Sequence, residues 1–199
     1  MISWERSINI KTPYEIKIMR EAGRINAESL AAAVAMIKPG VATSSLNAAF
    51  EAVQKQYDVF SPFKNYPGPY PYPASICTSV NDELVHGIPG DRKLAAGDIV
   101  SIDCGTVYQG FVGDMAVTVA VGEVNPETER LIKVTKQALE IAISKMVPGN
   151  TTGDIGHAVQ AFVEEKGFHI TRTYTGHGVG RKMHEGPQVP NYGKPGRGM

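Results

Sequence analysis

The sequence is poor in several features that would assign its class at once. It has two cysteines in 199 residues, which gives no disulfide framework and favours a reducing compartment, the cytoplasm. Its 20 basic residues balance 20 acidic ones, so no overall field attracts nucleic acid or an anionic membrane surface. It has no apolar run long enough to cross a bilayer, and its charged N-terminus lacks the apolar block of a secretory signal. We therefore expect a cytoplasmic globular protein with neither nucleic acid nor membrane as a partner.

What the sequence does contain is two similar helix pairs. The first opens at Thr12–Glu15, where threonine, proline and glutamate suit a helix start, and breaks at Pro39-Gly40 before a helix from 44 to 56. The second opens at Asn125–Glu127, breaks at Pro148-Gly149 and continues as a helix from 153 to 166. The two breaks are 109 residues apart, and one leucine, one threonine and three alanines also repeat at this offset without a gap. Alanine-rich helix pairs share some letters by chance, but the ungapped register favours an internal duplication.

Three runs typical of β-strands follow the first helix pair. They span residues 75–80, 98–104 and 111–121 and are rich in Ile, Val and Thr. The same offset puts the second copy of the last two runs at about 207–230, whereas the sequence ends at Met199. We therefore expect the second half to lack its last strands, the chain being a fragment or the product of a truncated gene.

Two aspartates, Asp103 and Asp114, interrupt the apolar pattern of the last two runs. In an antiparallel hairpin whose turn lies within Val107–Gly110 they would face each other directly, with Cβ atoms roughly 4.5–5.5 Å apart. Two like charges placed in this way need a shared proton or a bound cation, unless a bulge turns one carboxylate towards water. The hairpin alone leaves all three arrangements open.

The histidines favour the cation. His177 lies between glycines, His184 precedes a Glu-Gly-Pro turn, and His86 lies in "LVHGIPG". The glycines on both sides of His177 predict a tight loop in which the imidazole serves as a ligand. His157, beside a helical glycine, and His169, after a helix stop, are interpreted as packed or solvated side chains. Two carboxylates with one imidazole suit a divalent ion such as Mn, Fe, Co or Zn.

Four motifs in order carry a resemblance to a known family: "HGIP", "IDCGTVYQGFVGD", "GHGVG" and "MHEGPQVPNY". Together they resemble the type I methionine aminopeptidases of the bacterial form, from about Ile8 to Met199. The resemblance implies an α/β pita-bread fold, with two pseudo-symmetric helix–strand halves around a mainly antiparallel sheet and, here, an incomplete second half. We expect residues 1–199 to form a single catalytic domain.

The resemblance also implies two divalent metal ions, Co, Mn, Fe or Zn. It assigns Asp103 to one metal, Asp114 as a bridge between both, and His177 to the other. The family's two remaining ligands are glutamates further along its sequence, and Glu185 cannot replace them. We therefore expect these 199 residues alone to bind at most one metal, weakly, and to hydrolyse methionyl peptides little or not at all.

The resemblance implies further roles in catalysis and substrate binding. It makes His86 and His184 the catalytic residues: His86 lies near the scissile amide nitrogen, and His184 binds the substrate carbonyl and the developing oxyanion. The side chains that it places in the methionine pocket, beside the substrate-binding His86, are Tyr72, Cys77 and Met183, with Tyr66 as a second pocket tyrosine in a Pro-rich loop.

The implied function is removal of the initiator methionine from nascent polypeptides by a monomeric cytoplasmic enzyme, with association with the ribosome left open. Two alternatives remain. One is another pita-bread hydrolase, such as a prolidase or X-Pro aminopeptidase, which usually carries a large domain before the position of Ile8. The other is a non-catalytic binding module that has kept the fold, against which the presence of Asp103, Asp114 and His177 argues.

Overall fold

Helix pairs and strands alternate along the chain. The computed structural model describes residues 7–199, and in them the chain forms four helices and five strands: α1 Pro13–Ala35, α2 Thr43–Gln56, β1 Ile76–Val80, β2 Ile99–Tyr108, β3 Phe111–Ala120, α3 Pro126–Lys145, α4 Thr152–Glu165, β4 Gly176–Gly178 and β5 Glu185–Val189. The expectation that the N-terminus carries no secretory signal falls partly on residues 1–6, which lie outside the described residues. No helix within 7–199 combines the length and apolarity that a membrane span needs.

Local hydrogen bonds fix two of the helix starts. The Glu15 N–H donates to Thr12 Oγ1 at 3.3 Å, and the Thr12 N–H donates to Glu15 Oε2 at 2.9 Å, so the predicted capping box forms at α1. At the start of α4 the Asp154 carboxylate accepts bonds from the Thr151 N–H and hydroxyl, both at 2.7 Å. Both helices therefore begin within one residue of the predicted positions.

The internal duplication is visible in the element bounds. α4 begins and ends 109 residues after α2, and β5 begins and ends 109 residues after β1. The Pro-Gly breaks also match, because Gly40 and Gly149 both have positive φ, 87° and 96°. A backbone in this region favours glycine, which explains why both copies carry one there. The repeat thus extends from the helix pairs to the strand that follows each pair.

The described chain divides into two compact units. One unit comprises Lys11–Asn125 with Val179–Met183. In it β1, β2 and β3 form an antiparallel sheet in that order, and α1 and α2 pack on it. A Cβ added at Gly113 of β3 would lie 2.9 Å from backbone atoms of Ala22, so α1 lies directly on the strand. The buried core between helices and sheet consists of Leu30, Ala33, Leu46, Phe50, Ile76, Val80, Leu94, Val100, Ile102, Cys104 and Val121.

The hairpin between β2 and β3 corrects the predicted register. Tyr108 pairs with Phe111 across a two-residue loop, so Asp103 lies opposite Ala116 and Asp114 lies opposite Gly105. The prediction that the two aspartates face each other directly was wrong. Each aspartate lies opposite a residue two positions away from the predicted partner. The reason is the turn: Gln109 and Gly110 both adopt positive φ, 47° and 79°, as a type I′ turn requires, which moves the turn towards β3.

The other unit comprises Pro126–Gly178 and His184–Met199, with residues 7–10. α3 and α4 pack around a small core of Val134, Ala138, Ala142, Val159 and Val163. β4 pairs antiparallel with β5, with His177 opposite Gln188. His177 therefore lies in a short strand and not in the predicted loop. A three-residue strand with two glycines has no apolar alternation, so the sequence pattern does not reveal it.

Candidate active site

Asp103 and Asp114 lie on the same face of the β2–β3 hairpin as diagonal neighbours. Each is half-buried. Diagonal positions in an antiparallel pair lie about 7–8 Å apart, further than the facing positions that the sequence suggested. The residue directly opposite Asp114 is Gly105, which has no side chain to fill the face between the two carboxylates. The register thus keeps both carboxylates on one face but sets them further apart than facing positions would. The repulsion between their charges is therefore weaker.

The charges of this pair raise the pKa values of two nearby cysteines. Cys77 of β1 lies opposite Asp103 and is buried, and burial raises the pKa of its thiol to about 11, with the charges of Asp103 and Asp114 adding to the rise. Burial also raises the pKa of Cys104, again with both aspartates contributing. Both carboxylates therefore lie close enough to influence the same two thiols.

Tyr72 completes this group on the Cys77 side. Its hydroxyl lies 3.1 Å from the Ile76 carbonyl and 3.0 Å from the Gly87 carbonyl. Burial raises the pKa of Tyr72, and a hydrogen bond between its hydroxyl and Cys77 raises it further. The structure therefore brings Tyr72, Cys77, Asp103 and Asp114 together. Their roles as pocket and metal residues stay predictions.

His86 lies in the loop that follows β1. Its backbone has φ of 61°, uncommon for a residue with a side chain, and its imidazole is exposed. The next residue, Gly87, holds the loop against β1: its carbonyl accepts from the Thr78 N–H at 2.7 Å and its N–H donates to Ser79 Oγ at 3.1 Å. A Cβ at Gly87 would collide with the Thr78 carbonyl, so only glycine permits this approach. Sequence reasoning missed Gly87, although its place after His86 in "HGIP" was a signal.

His177 and His184 lie together in the other unit. Their ring centroids are 4.4 Å apart with the planes tilted by 56°. His177 Nδ1 lies 2.9 Å from the Gly178 carbonyl oxygen, which can only accept, so Nδ1 donates in this bond. The adjacent Glu185 is buried and accepts a bond from Asn9 Nδ2 at 3.2 Å. A histidine that binds a metal commonly donates its other ring N–H to a backbone carbonyl in this way.

The contacts that define the positions of Met183 and Tyr66 are made by the backbone of their segments. Met183 is half-buried and ends a segment that the first unit holds through a bond from the Val112 N–H to the Gly180 carbonyl at 2.8 Å. Tyr66 is 42% exposed, and its carbonyl accepts from the Tyr72 N–H at 3.0 Å. Tyr66 therefore closes the Pro-rich loop through its backbone.

The donor chemistry of the predicted ligands fits a divalent ion. Two carboxylates and an imidazole are the donors that borderline divalent ions accept. Within residues 7–199, however, no three His, Cys, Asp or Glu side chains are grouped so that they could hold a metal. The structure gives two clusters, the carboxylate pair with its thiol and the histidine pair.

A cavity in the first unit lies apart from these clusters. It measures about 380 Å³ and has none of the predicted site residues in its wall. Its lining consists of Glu51, Gln54, Lys55, Asp58, Val59, Phe60, Ser61, Lys64, Asn65 and Ser75.

The chain is similar to known proteins over most of its length. The family "Metallopeptidase family M24" matches residues 17–199. A methionine aminopeptidase of Clostridium acetobutylicum is 48% identical over 96% of this chain and 76% of its own length. Crystal structures of methionine aminopeptidases from Thermotoga maritima and Rickettsia prowazekii superimpose with TM-scores of 0.92 and 0.93, at 46% and 39% identity, each over 97% of this chain and 77% of the other. The fold is therefore the α/β pita-bread fold that the motifs implied, and the chain belongs to metallopeptidase family M24.

Proposed function

We propose that the chain is a metal-dependent methionine aminopeptidase, which hydrolyses the peptide bond after an N-terminal methionine. The observation that carries the proposal is the pair of half-buried carboxylates on one face of β2–β3, with Cys77 and Tyr72 beside it. The relative named methionine aminopeptidase that is 48% identical supports the same reaction. The substrates would be free N-termini of polypeptides, including nascent ones, and the protein would act as a monomer.

Asp103, Asp114 and His177 serve as metal ligands in this proposal. The resemblance implies two ions among Co, Mn, Fe and Zn, and these three side chains supply three of the five implied ligands. A bound cation would neutralise the like charges of the two carboxylates, which explains why an apolar strand pair tolerates them. When bound, the ion supplies Lewis acidity to the reaction.

The two remaining histidines contact the substrate groups that react. A ring N–H of His184 donates to the substrate carbonyl oxygen and would stabilise the negative charge that develops there. His86, on its exposed loop, lies near the amide nitrogen that leaves. The bond from Gly87 to β1 holds this loop in place, so the position of His86 depends on the strand that carries Cys77.

Methionine recognition is assigned to Tyr72, Cys77 and Met183. A thioether side chain prefers apolar and polarizable neighbours, which a neutral thiol and a second methionine provide. The raised pKa of Cys77, about 11, keeps its thiol uncharged at neutral pH, so the pocket wall carries no negative charge against the substrate.

The test measures metal binding and peptide hydrolysis with the same preparation. Binding of Mn²⁺ is followed by electron paramagnetic resonance, and release of methionine from Met-Ala-Ser is measured in Mn²⁺ or Co²⁺ buffer, with a chelator and an X-Pro peptide as comparisons. We expect Mn²⁺ binding and release of methionine from Met-Ala-Ser, both abolished by the chelator. Asp103→Asn should weaken Mn²⁺ binding by more than the roughly 10–100-fold that loss of an outer-shell partner costs.

Asp91→Asn is the matched control, because Asp91 is an exposed aspartate in the same unit. It should bind Mn²⁺ as the unaltered chain does. Equal Mn²⁺ binding by Asp103→Asn and Asp91→Asn would exclude Asp103 as a ligand. Preferred cleavage of the X-Pro peptide would exclude methionine removal in favour of a proline-directed hydrolase.

A further inference from the structure

Three polar side chains form a chain of hydrogen bonds inside the core of the first unit. They are Asn26 of α1, Gln54 of α2 and Thr106 of β2, which we call the polar relay. Asn26 and Thr106 have no exposed surface, and Gln54 is 3% exposed. None of them has a part in the chemistry proposed above.

The hydrogen bonds of the polar relay run in one direction, because each side chain donates to the next. Gln54 Nε2 donates to Thr106 Oγ1 at 2.6 Å, and the Thr106 hydroxyl donates to Asn26 Oδ1 at 2.9 Å. The relay ends on the backbone of β2: Asn26 Nδ2 donates to the Cys104 carbonyl at 3.0 Å, and Gln54 Nε2 also reaches the Gly105 carbonyl at 3.3 Å. Two helices are thereby joined to two successive peptide groups of one strand.

The relay lies where β2 loses its neighbour on one side. The ladder between β1 and β2 ends at the pair Ile76–Cys104, and the next bridge on that side joins Phe60 to Val107. Between these points the relay bonds the β2 carbonyls. Burying three polar groups requires a desolvation free energy that apolar side chains of similar size would not require. Filling the core does not explain the relay.

The same strand segment is confined on its other face. A Cβ at Gly105 would lie 2.9 Å from Pro62 Cγ and 3.1 Å from Phe63 Cε1. The relay below and these two side chains above therefore fix the Cys104–Thr106 backbone. That segment follows Asp103 directly, and its glycine pairs with Asp114.

We propose that the polar relay positions the two candidate metal ligands, Asp103 through the adjoining Cys104 peptide and Asp114 through its pairing with Gly105. The proposal rests on the proposed function, because it assumes that these carboxylates bind metal. Asn26, Gln54 and Thr106 are positioning residues, since they act through the strand and touch no substrate.

The experiment compares Thr106→Val, which breaks the relay at its middle with little change of shape, with Thr106→Ser, which keeps the hydroxyl. Ser29→Ala is the control: Ser29 is fully buried on the same helix as Asn26, but its hydroxyl bonds only its own helix, at Ile25. Mn²⁺ binding is measured on folded protein, as judged by circular dichroism. We expect Thr106→Val to weaken Mn²⁺ binding by about ten-fold or more and the other two to stay within about two-fold.

A second measurement does not depend on metal. Hydrogen exchange of the Gly105 and Asp114 amides should be faster in Thr106→Val than in Ser29→Ala. Unaltered Mn²⁺ affinity in Thr106→Val, or equal losses in Thr106→Val and Ser29→Ala, would overturn the positioning role. If the unaltered chain binds no Mn²⁺, the metal part of the proposed function fails, whereas unchanged exchange in Thr106→Val would show that the relay does not fix the strand.

Discussion

Cys77 shows most directly how the candidate site alters the chemistry of a side chain. It is 4% exposed, it lies opposite Asp103, and its thiol touches the Tyr72 hydroxyl. Burial comes first among the causes that raise its pKa, and the two aspartates add to it. A thiol held neutral in this way resists both alkylation and oxidation, because the thiolate is the reactive form.

The pH dependence of Cys77 gives a prediction at this scale. In a Cys104→Ala background, alkylation of Cys77 by iodoacetamide should stay slow through pH 9 and rise only as the pH approaches about 11. Since the folded pKa exceeds the unfolded value of 9.0, the neutral thiol stabilises the fold below pH 9 and this contribution is lost between pH 9 and about 11. Its upper limit is about 2.7 kcal/mol.

The measurement of stability uses urea unfolding at pH 8 and pH 10.5. Cys77→Ala should lose less stability over this range than the unaltered chain, because it has no thiol to ionise. An alkylation midpoint near pH 8.5, or the same loss of stability in both proteins, would show that the thiol is not held neutral by its surroundings.

The β2–β3 hairpin is the element that decides which residues share a face. Its two-residue loop, Gln109-Gly110, has positive φ at both positions, and it sets Gly105 opposite Asp114. Gln109 is an unusual choice at the first position, where asparagine is favoured. The turn is therefore a place where stability can be altered without touching the site.

Two substitutions test the role of this turn. Gln109→Asn should raise the free energy of unfolding by up to about 1 kcal/mol, because asparagine tolerates positive φ better. Gly110→Ala should lower it by about 1 kcal/mol, because a Cβ is disfavoured at a φ of 79°. Urea unfolding curves measure both.

The control for Gly110 is Gly23 in the interior of α1, where an added Cβ would meet nothing within 4 Å. Gly23→Ala should raise the free energy of unfolding by about 0.5–1 kcal/mol, the opposite sign. A stabilising Gly110→Ala would contradict the type I′ turn.

Elements differ in how well the sequence predicts them. The helix starts are set by side chains within one turn, so Thr12 and Glu15 suffice to place α1. The strand register depends on where a turn places its two residues with positive φ, and "VYQGF" permits several positions with the same alternation. The strands around His177 are shorter still, and they form only because β4 pairs with β5, which no local pattern shows.

At the scale of the whole molecule, metal binding and stability should be linked. A ligand that binds only the folded state stabilises it by about 2.7 kcal/mol at 100 times its dissociation constant. Mn²⁺ should therefore raise the thermal midpoint of the unaltered chain, and a chelator should reverse the rise. Differential scanning calorimetry measures this directly.

Asp114→Asn should remove the effect of Mn²⁺ on the thermal midpoint, while Asp91→Asn should keep it. Equal thermal shifts in these two variants would mean that the ion binds elsewhere. Such a result would separate a general effect of divalent ions on the protein from binding at the carboxylate pair.

The duplication and the family were readable from the sequence, whereas the geometry of the site was only partly so. Residue types placed Asp103, Asp114 and His177 as candidate ligands, because acids in an apolar strand and a histidine between glycines are unusual. Their roles as ligands stay predictions. The polar relay left no signal, since Asn26 is one of several polar residues in its helix and Thr106 is an ordinary strand residue. Their hydrogen bonds form only where helix and strand meet.

The paired glycines at 40 and 149 have a consequence for how this protein has evolved. The two repeats have drifted until few letters match, yet each retains the same left-handed backbone at the same place. Both repeats have therefore kept this main-chain path at the same place, where glycine adopts it without strain. A saturation mutagenesis survey should accordingly give near-identical tolerance profiles at these two positions, although their neighbours differ.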